Sequence, residues 1–104
     1  MPKFVFAYHG GKAPSDPKEA EQVMGAWNAW YESMGAAVVD GGAPVGMSKT
    51  VTASGVRDDG GANPLSGYTI VETTDINAAV AMAKGCPMVV DGSGSVEVAE
   101  QMQM

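Results

Sequence analysis

The chain holds one histidine, His9, and one cysteine, Cys86. His9 stands directly before Gly10-Gly11, and Asp40 stands directly before Gly41-Gly42. A histidine can take or give a proton near neutral pH, and a neighbouring carboxylate can orient it and stabilise its charged form. His9 and Asp40 are therefore the candidate catalytic pair. Tyr68 could donate a hydrogen bond from its hydroxyl, and Tyr8 and Trp27 could offer rings to a ligand cavity. Ser48-Lys49 could meet an anionic group. Each has a plainer explanation. His9 could cap a strand end and bind backbone or water. Asp before Gly-Gly is common turn chemistry. Tyr68 and Trp27 suit packing, and Lys49 suits the surface. Cys86, between Gly85 and Pro87, reads as a small buried hydrophobe, since no second cationic partner is in view to make a thiolate. One His and one Cys do not make a zinc set, and the paired glycines lack the spacing of a phosphate loop. No metal and no cofactor are expected.

These residues need elements to hold them. Phe4, Phe6 and Tyr8 alternate with Val5, Ala7 and His9, so the opening strand is apolar on both faces until its last residue. Asp16, Pro17 and Glu19 form a helix start with a cap and a capping box. Ala20, Val23, Met24, Trp27, Trp30, Tyr31 and Met34 then follow at helical spacing, with Gly35 in place to end the helix. Residues 36–40 read as a short strand terminated by Gly41-Gly42-Ala43-Pro44. Residues 45–64 carry weaker signals, with a strand at 49–53 and a loop at 58–64. Ser66 to Thr73 is a β-branched strand. Asp75 can cap a second helix that Gly85 and Pro87 stop. Ser95 to Val98 alternates as a last strand, which the tail to Met104 either extends or leaves to fray.

That order, with two right-handed β-α-β crossovers, predicts a single α+β domain over 1–104. Its expected architecture is a ferredoxin-like β-α-β-β-α-β sandwich with an inserted hairpin and an antiparallel sheet. Helices on one face leave the other bare, although the strands are apolar on both. A second copy packed sheet to sheet is the simplest cover, so a homodimer is expected, and a monomeric mass at micromolar concentration would rule it out. In this topology His9 ends the first strand, Asp40 ends the second and Tyr68 begins the strand between them. All three then fall at one edge of the sheet, together with Cys86 at the end of the second helix.

The run Phe4 to Gly11, the Val39-Asp40-Gly41-Gly42 turn and Pro64-Leu65-Ser66-Gly67-Tyr68 form a recognisable set. Ala78-Ala79-Val80, Gly85-Cys86-Pro87 and Val96-Glu97-Val98 extend it. Together they resemble the YCII-related (YciI-like) family, in the group close to the DGPF-domain proteins, over nearly the whole chain. The resemblance implies a small bacterial dimeric α+β barrel, usually without an assigned reaction, and points toward a His-Asp pair. Where many DGPF proteins carry Asp-Gly-Pro-Phe, this chain has Asp59-Gly60-Gly61-Ala62-Asn63-Pro64.

The totals narrow the partners. Of 104 residues, 45% are hydrophobic and only 17% charged, few for a small monomer and consistent with association. A chain of this size buries only about two-thirds of its unfolded surface, so a second copy would also add core. The net charge of −6 argues against nucleic acid and against an anionic membrane surface. No apolar run approaches the ~20 residues that cross a bilayer. A lone cysteine and no recognisable leader suggest a reducing, cytoplasmic setting. The function expected is a cofactor-free, isomerase- or lyase-like proton transfer on a small organic molecule by His9 and Asp40. The alternatives are a non-catalytic ligand-binding or accessory dimer, and a scaffold whose dimer surface is its function.

Overall fold

The computed structural model describes residues 1–103. The chain runs β1 (Lys3–Gly10), α1 (Pro17–Met34), one 3-10 turn (Gly35–Ala37), β2 (Val38–Pro44), β3 (Thr50–Thr52) and β4 (Gly55–Arg57). It continues through β5 (Leu65–Glu72), α2 (Ile76–Ala83), α3 (Pro87–Val90) and β6 (Gly94–Glu100). The four long strands form one sheet in the order β2-β5-β1-β6, every neighbouring pair antiparallel. β3 and β4 pair as a separate hairpin. This is the ferredoxin-like α+β sandwich with an inserted hairpin that the order of elements predicts.

α1 forms where its caps stand. The Asp16 carboxylate accepts from the Glu19 amide at 2.7 Å, Pro17 opens the helix, and Gly35 closes it at φ +54°. Its inner face carries Trp30 and Met34 fully into the core, with Val23, Trp27 and Tyr31 half-buried beside them. Met24, which helical spacing assigns to that face, is 64% exposed. At 3.6 residues per turn it falls at the margin of the arc centred on Trp27, Trp30 and Met34.

One face of the sheet meets the helices. Phe4, Phe6 and Tyr8 of β1 point there with Thr69 and Val71 of β5, all buried. Burying a side chain such as Phe6 contributes on the order of 2–3 kcal/mol. The rings form a continuous cluster: Phe6 stacks on Trp30 at 6.2 Å, and Tyr8 meets Trp27 edge-on at 5.3 Å. The opposite face, with Val5, Ala7 and His9 of β1 and Tyr68 and Ile70 of β5, has no layer over it. The molecule is accordingly a slab, 43 × 43 × 20 Å.

Three elements differ from the sequence reading. Gly41-Gly42 does not end the second strand. β2 starts later, at Val38, and runs through to Pro44, with Asp40 opposite Ile70 and Ala43 opposite Tyr68. The glycines are a bulge inside it: Gly42 takes φ +67°, a conformation that puts its backbone against the carbonyl of Tyr68. A four-residue helix, α3, begins at Pro87, because proline ends one helix and opens the next equally well. β6 is longer than its alternating centre and reaches Glu100, and the Gln101 amide adds one bond to Lys3. Met104 lies outside the described residues.

Candidate functional site

His9 closes β1 on the bare face. Opposite it, β5 carries one extra residue: Tyr8 pairs with Gly67 and His9 with Leu65, leaving Ser66 as the bulge. A bulge bends its strand, and here it brings the loop before β5 up to the imidazole. Nδ1 lies 3.0 Å from the carbonyl oxygen of Asn63 and 3.3 Å from that of Pro64. On the other side β6 pairs Ser95 with His9 and Glu97 with Ala7. Diagonal neighbours on one sheet face lie within reach of long side chains. Glu97 Oε1 accordingly lies 3.0 Å from His9 Nε2.

The hydrogen-bond inventory of this pair is specific. A neutral imidazole has one donor and one acceptor nitrogen. Both nitrogens of His9 face acceptors, two carbonyls on one side and a carboxylate on the other. The arrangement is satisfied when a proton lies between Nε2 and Oε1, as imidazolium with carboxylate or imidazole with carboxylic acid. His9 is only 13% exposed while Glu97 is 71% exposed. The carboxylate is the member open to solvent, and the histidine stands behind it.

Asp40 is not part of this group. It lies opposite Ile70, which lies opposite Val5, four residues before His9 on β1. With ~3.4 Å per residue along the strand and ~4.8 Å between strands, the two backbones are roughly 16 Å apart. The Asp40 carboxylate instead accepts from the Gly42 amide at 2.9 Å and shapes the bulge. The expected convergence at one sheet edge fails because β2 continues past Asp40 and brings Pro44, not Asp40, level with Gly67.

The remaining sequence candidates fall in three places. Tyr68 shares the bare face with His9, next to Ala7. Tyr8 and Trp27 lie on the helix side. The Tyr8 hydroxyl donates inward to Thr69 Oγ1 at 2.7 Å, and that oxygen lies 2.9 Å from the Tyr31 hydroxyl. Thr69 and Tyr31 both reach the Gly41 carbonyl, at 3.1 and 3.2 Å. Burial, the largest influence, pushes the Tyr8 phenol far above the ordinary tyrosine range. Its hydroxyl ties the core to the β2 bulge and is no proton donor to a ligand. Ser48 and Lys49 stand at the base of the hairpin, where Lys49 Nζ pairs with Asp58 at 2.8 Å. Cys86 is fully buried and its thiol is pushed up by burial. Among the described residues no cluster of three His, Cys, Asp or Glu side chains could hold a metal ion. No helix there is long and apolar enough to cross a membrane.

Glu97 is the residue that sequence reasoning missed. Its signal lay in the topology: the strand order that sets β5 on one side of β1 sets the last strand on the other. Glu97 is the one charged residue inside that strand's Val96-Glu97-Val98 alternation.

A hollow lies on the helix side. A cleft of about 440 Å³ opens between α1 and α3, with Trp27, Val23 and Met88 among its walls.

Fold and site together define a small α+β sandwich with a His-Glu pair on an uncovered sheet. No protein-family model matches the sequence, and a search of the curated proteins found no match. Among solved structures the chain is similar to 5-chloro-2-hydroxyhydroquinone dehydrochlorinase from Burkholderia phenoliruptrix AC1100, in its complex with 2,5-dihydroxybenzoquinone. The likeness covers 100% of this chain and 96% of that chain, with a TM-score of 0.60 and 14% sequence identity. At that identity the similarity is one of fold.

Proposed function

We propose that the chain is a YCII-related protein that works as a homodimer, sheet to sheet, and performs acid–base chemistry on a small organic molecule held against the bare face. The observation that carries this reading is the imidazole of His9 held between acceptors, with Glu97 as its solvent-facing partner. Glu97 exchanges the proton with substrate, and His9 supplies or stores it. Tyr68, on the same face, is placed to hydrogen-bond a ligand. No cofactor is invoked, since proton transfer needs none. A dimer adds what the monomer lacks: cover over Val5, Ala7 and Ile70. The solved structure of similar fold holds a dihydroxyquinone, which makes small hydroxylated rings a natural first substrate class to try.

The His-Asp pairing expected from the sequence is replaced in this reading by His9 and Glu97. The experiment is ¹⁵N NMR of the single histidine in wild type, Glu97→Gln and Asp40→Asn. The Nε2 resonance is expected to move clearly in Glu97→Gln and to stay in place in Asp40→Asn. The reverse pattern would return the role to Asp40, and no change in either variant would remove the coupled pair. Sedimentation of the same samples should give twice the chain mass at micromolar concentration; a monomer there would sink the sheet-to-sheet assembly.

A further inference from the structure

We infer that the cleft between α1 and α3 is a binding site for a small organic cation with an aromatic or otherwise apolar body. It is separate from the His9 face, because it lies on the helix side of the sheet. Its volume of about 440 Å³ suits a small molecule.

The floor is built from soft, polarisable groups. Trp27 is half-buried and packs edge-to-face with Tyr8 and Trp30, at ring separations of 5.3 and 5.5 Å. Met88 lies across two glycines of the strand ends. A Cβ on Gly94 would come within 2.8 Å of its sulfur, and one on Gly11 within 3.3 Å of its methyl. The missing side chains at these two positions are what let the thioether lie down as a wall. An indole face attracts cations, and a thioether packs well against aromatic rings.

The mouth sets the charge. It carries Lys12, Glu19 and Asp91. The Ser15 hydroxyl bonded to Glu19 at 2.6 Å holds that carboxyl below the usual range, and Ser93 does the same for Asp91, with Lys12 adding to both. Both carboxylates are therefore ionised at neutral pH, and they outnumber the one ammonium, that of Lys12. The rim is net negative, on a chain of net charge −6. An anionic ligand meets two carboxylates against one ammonium. A protonated amine finds two carboxylates on the rim and the Trp27 indole in the wall.

Three probes of one shape and different charge test this: 2-phenylethylamine, 2-phenylethanol and phenylacetate, titrated against the whole chain and followed by NMR at the Trp27 indole N–H and the Met88 methyl. The amine is expected to move both signals and to bind roughly fivefold or more tighter than the alcohol, with the acid weakest. Asp91→Asn should loosen the amine by roughly two- to fivefold, and Val23→Lys, a good helix former placed in the wall, should abolish binding. Equal binding of amine and acid, or a preference for the acid, would overturn the charge assignment. No shift at Trp27 and Met88 with any probe, or shifts confined to Ala7, His9 and Tyr68, would overturn the site. Neither result bears on the His9–Glu97 pair, whose readouts lie on the other face.

Discussion

Gly42→Ala will unfold this protein or cost it about 3 kcal/mol or more, the largest stability loss expected of any single methyl added to the chain. Gly42 sits at φ +67°, where an alanine is already strained. The decisive factor is contact. A Cβ built there overlaps the carbonyl oxygen of Tyr68 and lies 2.7 Å from its carbon. That carbonyl belongs to β5, the strand paired on both sides, so it cannot step back without loosening β1 as well. Nor can β2 move out, because Thr69 and Tyr31 hold the Gly41 carbonyl from below. Losses of this size come from a short list of mechanisms, and backbone overlap at a special φ is one of them. Urea denaturation of Gly42→Ala against Gly41→Ala measures it. The neighbouring glycine has nothing within 4 Å of its would-be Cβ and should lose under about 1 kcal/mol. Equal stability of the two variants would mean that β2 can shed its bulge freely.

Glu97→Gln is expected to lower turnover by about 10²–10⁴-fold, the usual worth of a general acid or base, while leaving the melting temperature nearly unchanged. The two halves of that statement have different origins. Glu97 is 71% exposed, and an exposed ion pair contributes only about 0–1 kcal/mol to folding. Its amide isostere fits the same space, so structure and stability persist. The amide, however, cannot take up a proton, and His9 is left 13% exposed with no proton exchange route through the side chain in front of it. A panel of small hydroxylated rings and carbonyl acids identifies the turned-over substrate in wild type. The variant is then compared on kcat and KM separately, with kcat expected to carry the loss. Asp40→Asn should stay within about twofold in rate, because its carboxylate serves the Gly42 amide and its backbone lies roughly 16 Å from that of His9. Activity kept within tenfold in Glu97→Gln would move the chemistry off this pair.

How much of this could be read from the chain depended on whether the signal was local. α1 was legible because Asp16, Pro17, Glu19 and Gly35 act on their own neighbours, and β5 because Thr69, Ile70 and Val71 favour strand wherever they stand. The fold followed from the order of such elements. Gly41-Gly42 is different: the same pair can stop a strand or kink it, and the choice is made by the Tyr68 carbonyl 26 residues away. Misreading that pair is what sent Asp40 to the sheet edge. Glu97 failed for a related reason. Alternation with Val96 and Val98 marks it correctly as a surface residue and says nothing of its neighbour across the sheet. Only the register, Ala7 against Glu97, puts it beside His9. The candidate site is a product of pairing, and pairing is what one strand's residues do not specify.

Pairing also sets a timetable for synthesis. β1 is made first and is apolar on both faces, yet its two partners are the last long strands of the sheet, with His9 meeting Leu65 on one side and Ser95 on the other. At 5–20 residues per second, translation leaves β1 without a hydrogen-bonding neighbour for roughly 3–11 seconds. In that interval α1 can already have coiled, in well under a millisecond, and only it can shade Phe4, Phe6 and Tyr8. The nascent chain must therefore wait as a helix folded over a lone ribbon, with its second face uncovered, and that is the moment at which neighbouring ribosomes on one message or a chaperone would find it.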